Sequence, residues 1–193
     1  MFTFFLYTIL IVFFLFYLYF FIKVFEHLYC SFIRKQVPFV PSRKKSRKAV
    51  ADQINTYYKN AKNVLEIGSG FGGLARYTAR NTDTNVVALE NMIFSASISK
   101  LLDFISLSKK SKTVWVDAFD FLKNTDKKFD IALAYLGTEA TSILKNYTDK
   151  FDVLISLNFE IPDLKPVRIV DLKSGYVVYN NKKYPHKLFV YEF

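Results

Sequence analysis

The sequence predicts an α/β protein: a mainly parallel sheet closed by an antiparallel hairpin and preceded by one N-terminal transmembrane helix. Three observations carry this expectation. Residues 1–22 contain no charged side chain. From residue 63 to residue 157, short apolar runs alternate with helical patterns, and near-continuous apolar strands of that kind belong to parallel sheets covered on both faces. After residue 165 the helical patterns stop, and three strand-like runs follow with only turn-length gaps between them.

Taken in order, Met1–Ile22 covers the roughly 30 Å hydrocarbon core at about 1.5 Å per helical residue. It lacks the basic start and small-residue cleavage site of a signal peptide, so an uncleaved anchor is expected. Residues 23–48 form a juxtamembrane linker. Val24, Phe25, Leu28, Tyr29, Phe32 and Ile33 recur at helical spacing, as in a helix that continues along the interface. Pro38 and Pro41 break that pattern. The linker holds eight Lys/Arg against Glu26 alone, which by the positive-inside rule leaves the rest of the chain in the cytoplasm. Whether the cluster at 43–48 also attracts anionic lipid or only sets topology stays open. Cys30 is a conceivable palmitoylation site or an inert thiol.

The folded domain is assigned to 49–193. A helix is expected over 46–60, then strand 63–67, helix 72–80, strand 85–90, helix 92–107, strand 113–117, strand 129–135, helix 138–147 and strand 152–157. Val167–Asp171, Tyr176–Asn180 and Lys187–Phe193 supply the closing antiparallel hairpin, with Gly175 and Asn180-Asn181 as turn signals.

The totals narrow the chemistry. Of the net charge of +10, residues 49–193 hold only 19 basic against 16 acidic side chains. A nucleic-acid enzyme spreads basic residues around its site rather than confining them to a linker, so no nucleic-acid partner is expected. One cysteine and two histidines exclude an intrachain disulfide and give no cluster with metal-ligand spacing. Neither histidine enters the candidate site.

The chemistry gathers at Asn63–Gly73. Gly68, Gly70 and Gly73 spell G-x-G-x-x-G after a strand and before a helix, and Glu90 lies about 20 residues on, as in a dinucleotide fold. Glu66 separates the two readings. A carboxylate two residues before the first glycine offers nothing to a pyrophosphate, whereas a sulfonium and an amino group gain from it. Glu90 can accept hydrogen bonds from both ribose hydroxyls. Together they favour S-adenosylmethionine over NAD.

On Val64-Leu65-Glu66-Ile67-Gly68-Ser69-Gly70-Phe71-Gly72 the chain resembles the class I, seven-strand S-adenosylmethionine-dependent methyltransferases, over roughly residues 37–193. The resemblance implies a Rossmann-like sheet with a terminal antiparallel hairpin. It also implies a cofactor set of Glu66, Gly68, Ser69, Gly70, Gly72, Glu90, Asn91, Asp117 and Ala118, with the last two near the adenine. Val37-Pro38-Phe39-Val40-Pro41-Ser42 and Tyr135-Leu136-Gly137-Thr138-Glu139 look like the membrane-anchored protein-lysine methyltransferases that act on the adenine nucleotide translocase and the ATP synthase c-subunit. Two departures stand out. Gly137-Thr138 replaces that group's proline-containing turn, and Gly70-Phe71-Gly72-Gly73 stands where the group favours Gly-Asp-Gly-Arg.

Methyl transfer is an in-line displacement on an activated sulfonium, so alignment and a desolvated pocket suffice and no metal is expected. An amine acceptor must arrive neutral. Tyr135 and Glu139, after the fourth strand, are the catalytic candidates, because open α/β sheets place ligands at carboxyl strand ends. Asn158, Phe159 and Pro162 are candidates for the opposite lip. The expected partners are the bilayer and a membrane-protein substrate. Methylation of a lipid, quinone or other membrane-soluble molecule is the alternative, and a non-catalytic scaffold a further one.

Overall fold

A computed structural model describes residues 2–28, 40–106 and 110–193, in two compact units divided between Phe39 and Val40. The first unit contains helix α1 (Phe2–Leu28), which carries apolar side chains exposed around its circumference from Phe4 to Phe25. Among the described residues, no helix is long and apolar enough to cross a membrane. The Cys30 and Pro38 readings, and the interfacial pattern beyond Leu28, lie outside the described residues.

The second unit is a seven-stranded sheet. Its elements in chain order are α2 (Lys44–Tyr57), β1 (Asn63–Ile67), α3 (Gly73–Asn81), β2 (Asn85–Glu90), α4 (Ile93–Ile105), β3 (Ser111–Trp115), α5 (Ala118–Asn124), β4 (Phe129–Ala134), α6 (Thr138–Ile143), a 3-10 segment (Leu144–Lys150), β5 (Phe151–Leu157), β6 (Arg168–Tyr179) and β7 (Lys182–Glu192). The strand order is β3-β2-β1-β4-β5-β7-β6. The first five strands are parallel, while β7 runs antiparallel to both β5 and β6.

Alternation along the strands builds a core on each face. Val64, Val86, Ile131, Val153 and Ile155 pack with Val50 and Ile54 of α2 and Leu74 and Ala75 of α3. Leu65, Ile67, Leu89, Ala132 and Leu154 pack on the other face with Leu122 of α5 and Leu144. Order reverses at β1, whose neighbours β2 and β4 are followed by helices on opposite faces, so a crevice opens at the carboxyl ends of these strands.

Several expectations are corrected. The basic segment 44–48 is not linker: it is the first turn of α2, with Ser46 buried, so the compact unit begins at Val40 rather than at residue 49. Between the third and fourth strands, where no helix is expected from the sequence, lies α5, whose N-cap is Asp117. The two segments 167–171 and 176–180 are one strand, β6, with a register irregularity between Asp171 and Tyr176 where Lys173 and Gly175 take positive φ. β7 starts at Lys182 instead of residue 187. Its pairing with β5 begins only at Leu188, so the stretch containing Pro185 has β6 as its single neighbour and tolerates a residue without N–H. The β6–β7 hairpin therefore extends beyond the carboxyl end of β5.

Candidate functional site

β1 delivers Glu66 to its carboxyl end, on the sheet face covered by α2 and α3. Only 4% exposed, it accepts a hydrogen bond from the Ala75 N–H at 2.8 Å, and so caps the first turn of α3. Burial pushes its carboxyl up to about 8, against the opposing pull of the Ala75 N–H and of Arg76 and Arg47. The loop between is held in the left-handed region, with φ of 71°, 55° and 66° at Gly68, Gly70 and Gly72. Glycine is required at 68 for a second reason: a Cβ there would sit 2.5 Å from Leu136 Cδ2, so the end of β4 packs directly on bare backbone.

β2 fastens the loop from the other side. Ser69 N–H donates to Leu89 O at 2.9 Å. Buried Glu90 accepts from Gly70 N–H at 2.7 Å through one oxygen and from Met92 N–H at 2.8 Å through the other. The Asn91 carbonyl accepts from the Trp115 indole at 3.0 Å, and its side-chain amide reaches Asp117 Oδ2 at 3.4 Å. Asp117 caps α5, accepting from Phe119 N–H and Asp120 N–H, with Ala118 opening that helix. The nine residues of the expected cofactor set thus gather at the carboxyl ends of β1, β2 and β3. They fit a nucleoside ligand: Ser69 Oγ is buried in the loop with no hydrogen-bond partner among the described residues, a polar atom that a bound group would satisfy.

Two residues that the sequence reading did not assign to the site complete this end. Arg47 of α2, counted there as a topology charge, lies beside Glu66, and a Cβ on Gly73 would meet its guanidinium at 2.8 Å. Burial lowers the Arg47 pKa, and Glu66 opposes the shift. Arg76 of α3 donates to Phe71 O and pairs with Asp103 at 3.2 Å.

Tyr135 and Glu139 fall in different surroundings. Tyr135, half-buried at the end of β4, has its phenol pushed up by burial, with a hydrogen bond to Asn158 opposing. Asn158 has φ of 68°, and its Oδ1 lies 3.2 Å from Nδ1 of buried His186, a histidine that sequence reasoning set aside. Glu139 is exposed in the first turn of α6 and accepts from Tyr179 Oη at 2.6 Å and Asn180 Nδ2 at 3.1 Å. Burial, and then this carboxylate, push the Tyr179 phenol up to about 12. Phe159, Tyr179 and Tyr184 form one aromatic group, with ring centroids 4.9 to 6.5 Å apart. The overhanging hairpin thus walls the crevice beside β5. Pro162 takes no part in these contacts. An open groove of about 580 Å³ lies at the opposite, amino ends of β4 and β5, lined by Tyr57, Lys59, Asp130 and Asp152 among others, and shares no residue with this site. Among the described residues no group of His, Cys, Asp and Glu is arranged to hold a metal.

Solved structures share this architecture. An RNA methyltransferase from Salinibacter ruber in complex with S-adenosyl-L-homocysteine superposes with a TM-score of 0.61 at 16% identity, over 79% of this chain and 93% of that one. A putative O-methyltransferase from Klebsiella pneumoniae gives 0.60 at 13% identity, over 81% and 83%. M. capricolum TrmK in complex with S-adenosyl-homocysteine gives 0.54 at 17%, over 74% and 67%. At these identities the likeness establishes the fold: a Rossmann-like α/β methyltransferase architecture with a mixed sheet. No protein-family model and no curated protein sequence matches the chain.

Proposed function

We propose that this chain is a membrane-tethered S-adenosylmethionine-dependent methyltransferase whose acceptor is an amine, a lysine on a membrane-associated protein. The observation that carries the reading is the tie between Glu90 and the glycine loop. A buried carboxylate at the end of β2 holds Gly70 N–H at 2.7 Å, beside a buried Ser69 hydroxyl without a partner among the described residues, in a fold shared with proteins solved with S-adenosyl-homocysteine. A bound cofactor supplies an activated methyl sulfonium. Glu66, flanked by Arg47 and Arg76, offers a carboxylate to the cationic methionine end, and Glu90 offers acceptors to the ribose. Asn91, Asp117 and Ala118 border the adenine side.

On the acceptor side, Tyr135 and Asn158 stand at the carboxyl ends of β4 and β5, while Glu139 and the Phe159, Tyr179 and Tyr184 rings form the adjoining wall. Aromatic walls exclude water, and that desolvation lowers an amine's pKa toward the neutral nucleophile; the Glu139 carboxylate, held by Tyr179 and Asn180, stands at this wall as the group to take a proton. What supports the tether is the sequence: residues 1–22 carry no charged side chain, and the basic residues that follow favour a cytoplasmic catalytic domain. Tethering raises the effective concentration of substrates in the same bilayer.

Calorimetry of the full chain in detergent with S-adenosylmethionine, its demethylated product and NAD tests the cofactor. Binding of the first two is expected, and its absence sinks the reading. Incubating membranes with methyl-labelled cofactor then separates acceptors. Label in lysine of a membrane protein is expected, whereas label confined to the lipid extract replaces the lysine acceptor with a lipid or quinone.

A further inference from the structure

Helix α4 is built inside out. Its sheet-facing side consists of buried Ser95, Ala96 and Ser99 together with Asp103. These polar groups are satisfied: Asp103 accepts from Thr113 N–H at 2.9 Å and Thr113 Oγ1 at 2.7 Å and pairs with Arg76, while Ser99 Oγ lies 2.7 Å from Thr113 Oγ1. The outward side carries Ile93, Leu101, Phe104 and Ile105, and Phe104 is 79% exposed. At about 100° per residue, Ile93, Phe104 and Leu101 share one stripe. An ordinary surface helix places such residues in the core. Here the polar side is locked to β3, so the apolar side has no alternative but to face outward.

The stripe continues onto β3. Trp115 is 54% exposed, and its indole donates to the Asn91 carbonyl, immediately before the N-cap of α4. Charge complements this apolar surface. From Ile93 to Trp115 the chain carries four lysines against Asp103 alone, and Asp103 is neutralised by Arg76. Lys100, Lys110 and Lys112 are exposed, with Lys110 sharing Asp83 with Lys62.

We propose that the outward face of α4, with Trp115 at its end, docks the domain on an anionic bilayer. Its apolar side chains enter the boundary between headgroups and acyl chains, the indole sits at headgroup level, and the lysines meet lipid phosphates. A second copy of this chain fits the face less well, because pairing it with itself sets lysine against lysine. The inference rests on the tethered reading above for bringing the domain to a bilayer.

Trp115 is the chain's one tryptophan, so its emission reports on this face alone. The full chain is reconstituted into vesicles of phosphatidylcholine and phosphatidylglycerol, with and without bromine on the acyl chains and with the demethylated cofactor present throughout. The expected result is blue-shifted emission, roughly halved by the brominated lipid. Leu101→Ser with Phe104→Ser should restore most of that emission; both side chains are exposed, and circular dichroism checks that the fold is kept. Lys100→Glu with Lys112→Glu should relieve quenching in anionic vesicles. Equal emission in brominated and plain vesicles overturns the proposal, as does quenching that survives the Leu101/Phe104 change, or a dimer cross-linked through α4 with Trp115 unquenched. Flotation of the same vesicles after an alkaline wash reads the tether separately: a chain that floats with unquenched Trp115 keeps its anchor and loses the docking face. A chain that stays behind loses the tether, and the quenching still decides the face.

Discussion

Replacing Glu66 with glutamine should make the cofactor-free chain more stable while weakening its hold on the cofactor. The buried carboxyl has a folded value of about 8 against an ordinary 4.5. Its contribution to stability is therefore complete below pH 4.5 and is lost as pH rises toward 8. At 1.36 kcal/mol per pH unit, the interval from 4.5 to 7 corresponds to about 3 kcal/mol of stability forgone at neutral pH. The Glu66→Gln side chain keeps an oxygen for the Ala75 N–H but has no proton to lose, so the variant escapes this loss. The assay is denaturant unfolding of both chains in the same detergent, followed by Trp115 emission, at pH 5, 6, 7 and 8. Near pH 5 the two should match within about 1 kcal/mol, the worth of one altered hydrogen bond, and the advantage of the variant should widen with every step upward. A variant that is less stable at pH 8 than at pH 5, relative to the parent, would refute the assignment of Glu66 as a carboxyl held neutral by burial.

The same carboxyl should ionise when a sulfonium arrives, so binding of S-adenosylmethionine at pH 7 should release up to one proton, read as a dependence of calorimetric heat on buffer ionisation enthalpy; equal heats in all buffers would contradict it. Glu90→Ala should weaken cofactor binding by roughly 1–3 kcal/mol through lost charged hydrogen bonds, measured by titration calorimetry, and unchanged affinity would remove Glu90 from the ribose site. Gly68→Ala, with φ of 71° and Leu136 2.5 Å from the new Cβ, should destabilise the domain by roughly 1–3 kcal/mol in denaturant unfolding; Leu136→Ala in the same chain should relieve the clash but not the backbone strain. Tyr179→Phe removes the hydrogen bond to Glu139, and should raise KM for the acceptor while leaving cofactor affinity unchanged in equilibrium binding.

What was legible in the sequence was whatever local pattern decides alone. β1 and β2 begin and end where their apolar runs do, and the glycine loop lies where its spacing says, because positive φ leaves few other residues possible. Illegible were features set by contacts distant in the chain. Arg47 reads as one of a run of juxtamembrane cations, and only the packing of α2 on α3 brings it to Glu66. It also lies against Gly73, where a Cβ would meet its guanidinium. β7 was cut short because Lys182, Lys183 and Pro185 look like turn residues until the overhang leaves them with one neighbour. α4 has clear amphipathicity, but periodicity does not say which side faces the sheet, and Asp103 with Thr113 reverses the usual answer.

The position of β7 bears on how the molecule is made. It is the last strand in chain order, yet it lies inside the sheet, wedged between β5 and β6. During synthesis, β1 to β5 can assemble as a parallel half while the β5 edge stays open and β6 has nothing to pair with. Closure waits for residues 182–192 to leave the ribosome. For a chain tethered as proposed above, this leaves an interval with an unpaired strand edge at the membrane surface. Truncation within β7 would leave the β5 edge open and β6 without its neighbour.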